Sequence, residues 1–313
     1  MAILAFDVGG SSVKYAVVKK HGAVEDKGSF KTPASLEDFY KELKRVKDEL
    51  MAVHKIRGAA FSMPGAVDDE RGIIGGASAI PYIHDFTIKK ALTKILELPV
   101  TMENNANCAA LGETWLGAAK GVRDVVFLVI GSGVGGALVK NGHIHHGAHL
   151  HGGEFGFMVV DTEGTILSEA ASTEHMVRRC EQMKGLPEGS LDGKKVFALA
   201  DDGDADAKLA ITQMIKELAR AIYNIQYSYD PECFVIGGGV SAREDFVPAI
   251  DAAVNEILEK VRIARVRPDV RQAKFGNDAN LLGAVYHFLQ TEKKRINPTF
   301  YTFQLSLTAG IFL

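Results

Sequence analysis

Cysteine is scarce in this chain. Only 3 of the 313 residues are Cys, at Cys108, Cys180 and Cys233. No two of them form a Cys-x-x-Cys pair, so neither a disulfide framework nor a cysteine zinc site is supported. Free, buried thiols in a reducing cytoplasm are expected. An excess of either charge is missing too: 36 Lys and Arg against 39 Asp and Glu leave a net charge of -3. That argues against a broad nucleic-acid or membrane surface. The start, Met1-Ala2-Ile3-Leu4-Ala5-Phe6-Asp7, lacks the basic lead and long apolar core of a signal peptide. The uncharged stretch 297–313 is short for a membrane span and is broken by Pro298, Gln304, Ser306 and Gly310. It reads as a terminal strand, a packed tail or an altered terminus.

What remains is an ordinary globular composition, 47% apolar and 24% charged, in a length that favours two compact lobes. The chain also repeats itself. The run Ile3-Leu4-Ala5-Phe6 leads into Asp7-Val8-Gly9-Gly10-Ser11-Ser12, a second apolar run and a turn at His21-Gly22. Later, Val125-Val126-Phe127-Leu128-Val129-Ile130 leads into Gly131-Ser132-Gly133-Val134-Gly135-Gly136, Ala137-Leu138-Val139-Lys140 and a turn at Asn141-Gly142. Both read as strand, glycine hairpin, strand, turn. Two copies of one unit imply a duplicated fold with a cleft between the copies. Helical periodicity marks 36–53, 88–96, 106–116, 208–229, 246–261 and 279–289. Short apolar runs at 56–61, 100–102 and 233–236 read as strands. Alternating strands and helices predict an α/β fold with ligands at the strand ends. The expected lobes are 1–116, completed by a final helix at 279–290, and 117–278.

Three glycine turns follow three strands. In the first, the backbone of Gly9 and Gly10 can approach a phosphate, and Ser11, Ser12 and Lys14 can add donors. Asp7, at the strand end, can hold Mg²⁺ through water. A plain hairpin with a capping Asp is the alternative. The second turn, with Gly131, Ser132 and Gly133, has neither a Walker ending nor the following helix of a dinucleotide fingerprint. The third, Gly237-Gly238-Gly239, ends a buried strand where adenine or ribose can lie. A loop carries His143, His145, His146, His149 and His151, but no pair has the i, i+4 spacing of a helical metal site. Glu154, between glycines, suits sugar hydroxyls. Glu169 stands at a helix start, where a carboxylate also has a purely structural use.

Taken in order from Ile3 to about Leu289, these segments resemble the ROK family of sugar kinases. That family lies within the actin/hexokinase/Hsp70-like superfamily of duplicated ribonuclease-H-like lobes around a central cleft. Asp7 to Ser12 resembles the first phosphate motif, with Ser11 where Thr is usual. Met63-Pro64-Gly65-Ala66-Val67-Asp68 resembles the Pro-Gly segment beside the sugar. Glu103-Asn104-Asn105-Ala106-Asn107 matches the catalytic segment, and Gly237-Gly238-Gly239-Val240 the adenosine segment. The resemblance implies ATP and Mg²⁺ as partners of the reaction, a cytoplasmic homodimer, and sugar contacts from Gly65, Ser78, Asn104, Glu154 and Glu169.

This chain departs from the family at three points. Asn105 stands where the family has its catalytic Asp. Phe157 stands where a His is usual after the Gly-Glu segment, and the zinc-binding cysteines are missing. The last two place the chain in a zinc-free branch and expect no structural zinc. With no DNA-binding domain ahead of Asp7, the repressor branch is disfavoured. Asn277-Asp278-Ala279-Asn280 spells the catalytic motif with an Asp, but its place matches the start of the family's last helix, with Asp278 as a cap. The expected reaction is phosphoryl transfer from ATP to a hexose or hexose derivative, such as glucose, a β-glucoside or N-acetylmannosamine. A carboxylate base adds about 10²–10⁴-fold to such a reaction. An amide cannot accept the proton, so slow turnover is expected. Asn105 is then either an introduced replacement or a natural low-activity form. A non-catalytic sugar-binding or regulatory protein is the alternative.

Overall fold

The computed structural model describes residues 2–296. The expectation for 297–313 lies outside the described residues. The chain forms two compact units: residues up to Gly112 with the described residues from Asn280 onward, and Glu113–Ala279.

The first unit is built on a five-stranded sheet of order β3-β2-β1-β4-β7. Its strands are β1 (Ala2–Val8), β2 (Ser12–Lys19), β3 (Val24–Lys31), β4 (Ile56–Met63) and β7 (Val100–Asn104). A small hairpin, β5 (Ala66–Asp68) with β6 (Ile73–Gly75), interrupts the order. In β1 every residue but Asp7 is buried, as a central strand covered on both faces requires. It pairs antiparallel with β2 and parallel with β4. Helix α1 (Leu36–Met51) buries Phe39, Leu43 and Val46 in the same core as β1 and β4. Their spacing of four and three puts them on one stripe. Ser35 caps α1 by accepting from the Asp38 N–H, with Glu37 and Asp38 in the first turn. Helix α2 (Ile88–Leu96) buries Ile88, Leu92 and Leu96. Strand β7 runs without a loop into α3 (Asn105–Leu116).

The second unit repeats the pattern. Its sheet has the order β10-β9-β8-β11-β12, from β8 (Val125–Ile130), β9 (Val134–Lys140), β10 (His143–Ile144), β11 (Cys233–Gly237) and β12 (Val270–Gln272). Strand β8 pairs antiparallel with β9 and parallel with β11, as β1 does with β2 and β4. The helices are α4 (Leu167–Ala171), α5 (Thr173–Met183), α6 (Gly193–Asp201), α7 (Ala205–Tyr229) and α8 (Phe246–Lys260). The duplication expected from the two glycine hairpins is therefore present at the level of strand order and direction.

Several elements differ from the sequence reading. Strand β3 was not expected, because Val-Glu-Asp-Lys-Gly-Ser-Phe-Lys is an edge with no fully buried residue and no clean apolar alternation. Helices α5 and α6 were also missed; their polar faces dilute the periodicity. Helix α7 starts at Ala205 rather than at 208, because Asp204 accepts from the Ala207 N–H and sets the start. The last helix, α9 (Ala279–Ile296), continues beyond 289. Among the described residues, no helix is long and apolar enough to cross a membrane.

Candidate active site

In the first unit the chemistry gathers at the ends of β1, β4 and β7. Asp7 lies opposite Lys14 on β2 and beside Ser62 on β4. Its Oδ1 accepts from the Ser62 hydroxyl at 2.8 Å and from Asn280 Nδ2 at 2.9 Å. Both of these donors are neutral. A strand-end carboxylate fits a hydrated Mg²⁺. The glycine turn beside it is closed by the Gly9 N–H on the Ser12 carbonyl at 3.0 Å. The Thr32 hydroxyl donates to the Gly9 carbonyl and the Thr32 N–H to the Ser11 carbonyl. Ser11 is exposed, and Ser12 and Lys14 are half-buried.

The Asn-rich tetrad is the start of α3. Asn104 Oδ1 accepts from the N–H groups of Ala106 and Asn107 at 2.9 and 3.3 Å, which caps the helix. Its Nδ2 donates to the Gly65 carbonyl at 2.9 Å and ties the turn to the Pro-Gly segment. Asn105 is exposed, and its Oδ1 accepts from the Ala106 N–H at 2.8 Å. The outward part of Asn105 is therefore its NH₂ group, a donor.

A buried charged cluster supports this turn. Glu103, 1% exposed, accepts from the Asn104 N–H at 2.7 Å and from Asn107 Nδ2 at 2.9 Å. On α9, His287 stands between Asp69 and Glu103: its Nε2 is 3.6 Å from Asp69 and its Nδ1 3.9 Å from Glu103. Asp69 also accepts from the Met102 N–H at 2.9 Å and from Lys89 Nζ at 2.7 Å. Burial by itself would raise the Asp69 carboxyl, but His287 and Lys89 hold it below the usual carboxylate range. Cys108 lies behind the turn, where burial and the carboxylates of Glu103 and Asp7 push its thiol well up.

In the second unit, Gly131, Ser132 and Gly239 line one cavity of about 950 Å³, together with Thr173, Phe197 and Arg243. The turn between β8 and β9 is closed by the Gly131 N–H on the Gly133 carbonyl, and α5 is anchored there by the Thr173 N–H on the Gly131 carbonyl, both 2.9 Å. Gly133 backs onto Ser168 instead of the cavity. Gly238 has φ +95°, and a Cβ there would come within 2.1 Å of the Ile130 carbonyl. Gly237 and Gly238 therefore allow β11 to close on β8, and Gly239 alone of the three lines the cavity. Arg243 stacks over Phe197 at 4.6 Å and pairs with Asp201 and Asp245. An apolar floor, a stacked guanidinium and a glycine turn suit a nucleoside.

The sequence profile of the ROK family matches residues 3–291. The chain belongs to the ROK family. A ROK relative, the β-glucoside kinase of Listeria monocytogenes, is 33% identical over 300 residues, which cover 94% of this chain and 99% of that protein. A ROK protein from Streptococcus pneumoniae, solved in complex with sucrose, is 37% identical with a TM-score of 0.87, covering 94% of this chain and 100% of that one. A ROK glucokinase from Streptomyces griseus, solved with glucose and AMPPNP, is 25% identical with a TM-score of 0.73, covering 91% of this chain and 98% of that one. The fold is accordingly that of the actin/hexokinase-like ROK proteins, with two ribonuclease-H-like units.

The remaining ROK positions divide by role. Glu154 is half-buried and starts the turn Phe155–Phe157. Phe157, where a His is usual in the family, is 68% exposed. Glu169 accepts from the Ile166 N–H at 3.2 Å, the structural use its helix-start position allowed. It also lines a smaller cavity with Arg179, Gln213 and Arg220, away from the nucleoside-sized one. Among the described residues, no three His, Cys, Asp or Glu side chains gather as a metal site. Asp278 ends the 3-10 turn Gly276–Asp278 directly before α9. The residue of that segment that reaches the phosphate motif is Asn280. It was passed over, as was His287, because no local pattern marks a residue whose partner is far away in sequence; His84 meets Ser78 within one loop, where no helix or strand period applies.

Proposed function

We propose that this ROK protein transfers a phosphoryl group from ATP to a hydroxyl of a hexose or hexose derivative, and does so slowly as it stands. In this reading the second unit holds the nucleoside between the Gly131 turn and Gly239, and the first unit supplies the phosphate turn, Asp7 and the sugar contacts Gly65, Ser78 and Asn104. Glu154 and Glu169 are proposed as further sugar contacts. The names of the relatives support sugar phosphorylation as the class of reaction.

The observation that carries the reading is the turn at Asn104 and Asn105. Asn104 is locked as a cap with one Nδ2 hydrogen to spare. Asn105 puts its amide oxygen on the Ala106 N–H, which it shares with Asn104. An Asp at this position would give one oxygen to the Ala106 N–H and keep the other for the sugar hydroxyl, whose proton it would take as the oxygen attacks phosphorus. The N-terminus of α3 favours that negative charge. Asn105 instead turns a donor toward the hydroxyl: it can hold the oxygen but cannot accept the proton. Asp7 would hold Mg²⁺, which supplies charge neutralisation on the phosphate oxygens.

Sugar-dependent ATP turnover across glucose, β-glucosides and N-acetylmannosamine, for the chain and for Asn105→Asp, tests this proposal. A rise of about 10²–10⁴-fold in kcat for one sugar is expected. The second reading, a sugar-binding or regulatory ROK protein, is favoured by Asn105 itself. It predicts sugar binding with no turnover even in Asn105→Asp.

A further inference from the structure

We propose that His84 is a positioning residue that fixes Ser78 as a hydrogen-bond donor, so that the first unit meets the sugar with donors alone. The proposal rests on the sugar-kinase reading above and assigns to that site a residue no family motif marked. Ser78 is half-buried in the loop between β6 and α2. Its Oγ accepts from the Ile80 N–H at 3.2 Å and lies 2.8 Å from His84 Nε2. The other ring nitrogen, Nδ1, is buried with no hydrogen-bond partner among the described residues.

A neutral imidazole carries one N–H. Nδ1 is without a partner in either tautomer, and an orphaned buried N–H is rarer than an orphaned acceptor, which favours the proton on Nε2. With the proton on Nε2, it is given to Ser78. Both lone pairs of the Ser78 oxygen are then filled, by Ile80 and by His84, and only its O–H is left to offer.

The ring packs against Gly65: His84 Cε1 lies 3.0 Å from where a Cβ on Gly65 would stand, and Gly65 at φ +94° leaves room for the ring there. The Gly65 carbonyl in turn accepts from Asn104 Nδ2. Ser78, His84, Gly65 and Asn104 thus form one packed chain. Asn104 is also a spent acceptor: its Oδ1 holds two backbone N–H groups, and one Nδ2 hydrogen remains. The ligand that fits is one whose oxygens accept at two points while its own hydroxyl protons are directed elsewhere. A polyhydroxylated ring with free lone pairs meets that need.

The test is a double-mutant cycle on sugar affinity, measured by calorimetry with glucose, N-acetylmannosamine and cellobiose, taking the tightest of the three. Ser78→Ala and His84→Ala should each weaken binding about 10-fold. The double variant should be no weaker than either single one, because both remove the same donated bond. AMPPNP affinity should stay unchanged in all of them. His84→Gln, which keeps an amide donor, should recover most of the loss. A fluorine in place of the contacted hydroxyl, which accepts but cannot donate, should cost less affinity than a hydrogen there. Losses that multiply in the double variant would overturn the proposal, as would a folded His84→Gln as weak as His84→Ala. Equal losses from the fluoro and deoxy sugars would also overturn it. An unaltered chain that binds none of the three sugars would instead overturn the sugar-kinase reading itself, and this proposal with it.

Discussion

At the scale of single residues, Asn105 differs from an aspartate by one group, but that group changes sign as a hydrogen-bonding partner. The helix start claims its oxygen, so the amide faces outward as a donor. Asp69 shows the opposite case, a carboxylate held charged against burial by His287 and Lys89. A carboxyl depressed in this way stabilises the fold above its ordinary value of 3.8. That contribution disappears as pH falls through the lower folded value. Asp69→Asn should therefore lower unfolding stability at pH 7 by about 3 kcal/mol, since Lys89 and His287 lose their shared partner. It should also flatten the acid limb below pH 4, and urea titrations at several pH values read both effects. The thiols form a second case. Burial raises all three, and Cys233 is pushed up to about 11. A disulfide-exchange reagent at pH 8 should label none of the 3 buried cysteines in the native protein and all of them once unfolded. What was legible at this scale was whatever sits in a local pattern: Asp7 before a glycine turn, Asn104 before a helix, Gly65 after a proline. His287 and Asn280 carry no such pattern, because their partners lie far away in the sequence, and His84 meets Ser78 within a loop that has no helix or strand period.

At the scale of elements, the helices that bear the site are positioned by close backbone approaches as well as by apolar stripes. Helix α9 crosses α3 at Gly283, where a Cβ would fall 1.6 Å from the Cys108 carbonyl oxygen. On an exposed helix, Gly→Ala gains up to about 1 kcal/mol. Here the sign should reverse. Gly283→Ala should cost roughly 1–3 kcal/mol through overpacking, and it should loosen the Asn280 contact to Asp7. A lower Tm together with weaker sugar binding would report both effects; a Tm equal to or above the parent would contradict the crossing described. Elements with strong periodicity, such as β1, α1 and α7, were readable from the chain. Strand β3 and helices α5 and α6 were not, because edge and surface elements carry polar residues on most of their faces. Their placement depends on neighbours already formed, which a local pattern does not contain. Helix ends shifted for a similar reason: Asp204 sets the start of α7 through a cap, ahead of its first apolar stripe residue.

At the scale of the molecule, one strand-hairpin-strand unit with two further parallel strands appears twice, and each copy carries a part of the chemistry. The first copy holds Asp7, the Asn104 turn and the donors proposed for a sugar; the second holds the nucleoside-sized cavity. The duplication was legible because both glycine hairpins survive in sequence. The packing role within the third glycine turn was not, since a Cβ at Gly237 or Gly238 would meet β8. The central claim is that everything a ROK sugar kinase needs is present except a proton acceptor at residue 105. The most direct test is the single-turnover rate of ATP-dependent sugar phosphorylation for the chain and for Asn105→Asp, with sugar and AMPPNP affinities measured in parallel. The account predicts nearly equal affinities and a rate about 10²–10⁴-fold higher in Asn105→Asp. An unchanged rate with both ligands bound would contradict it.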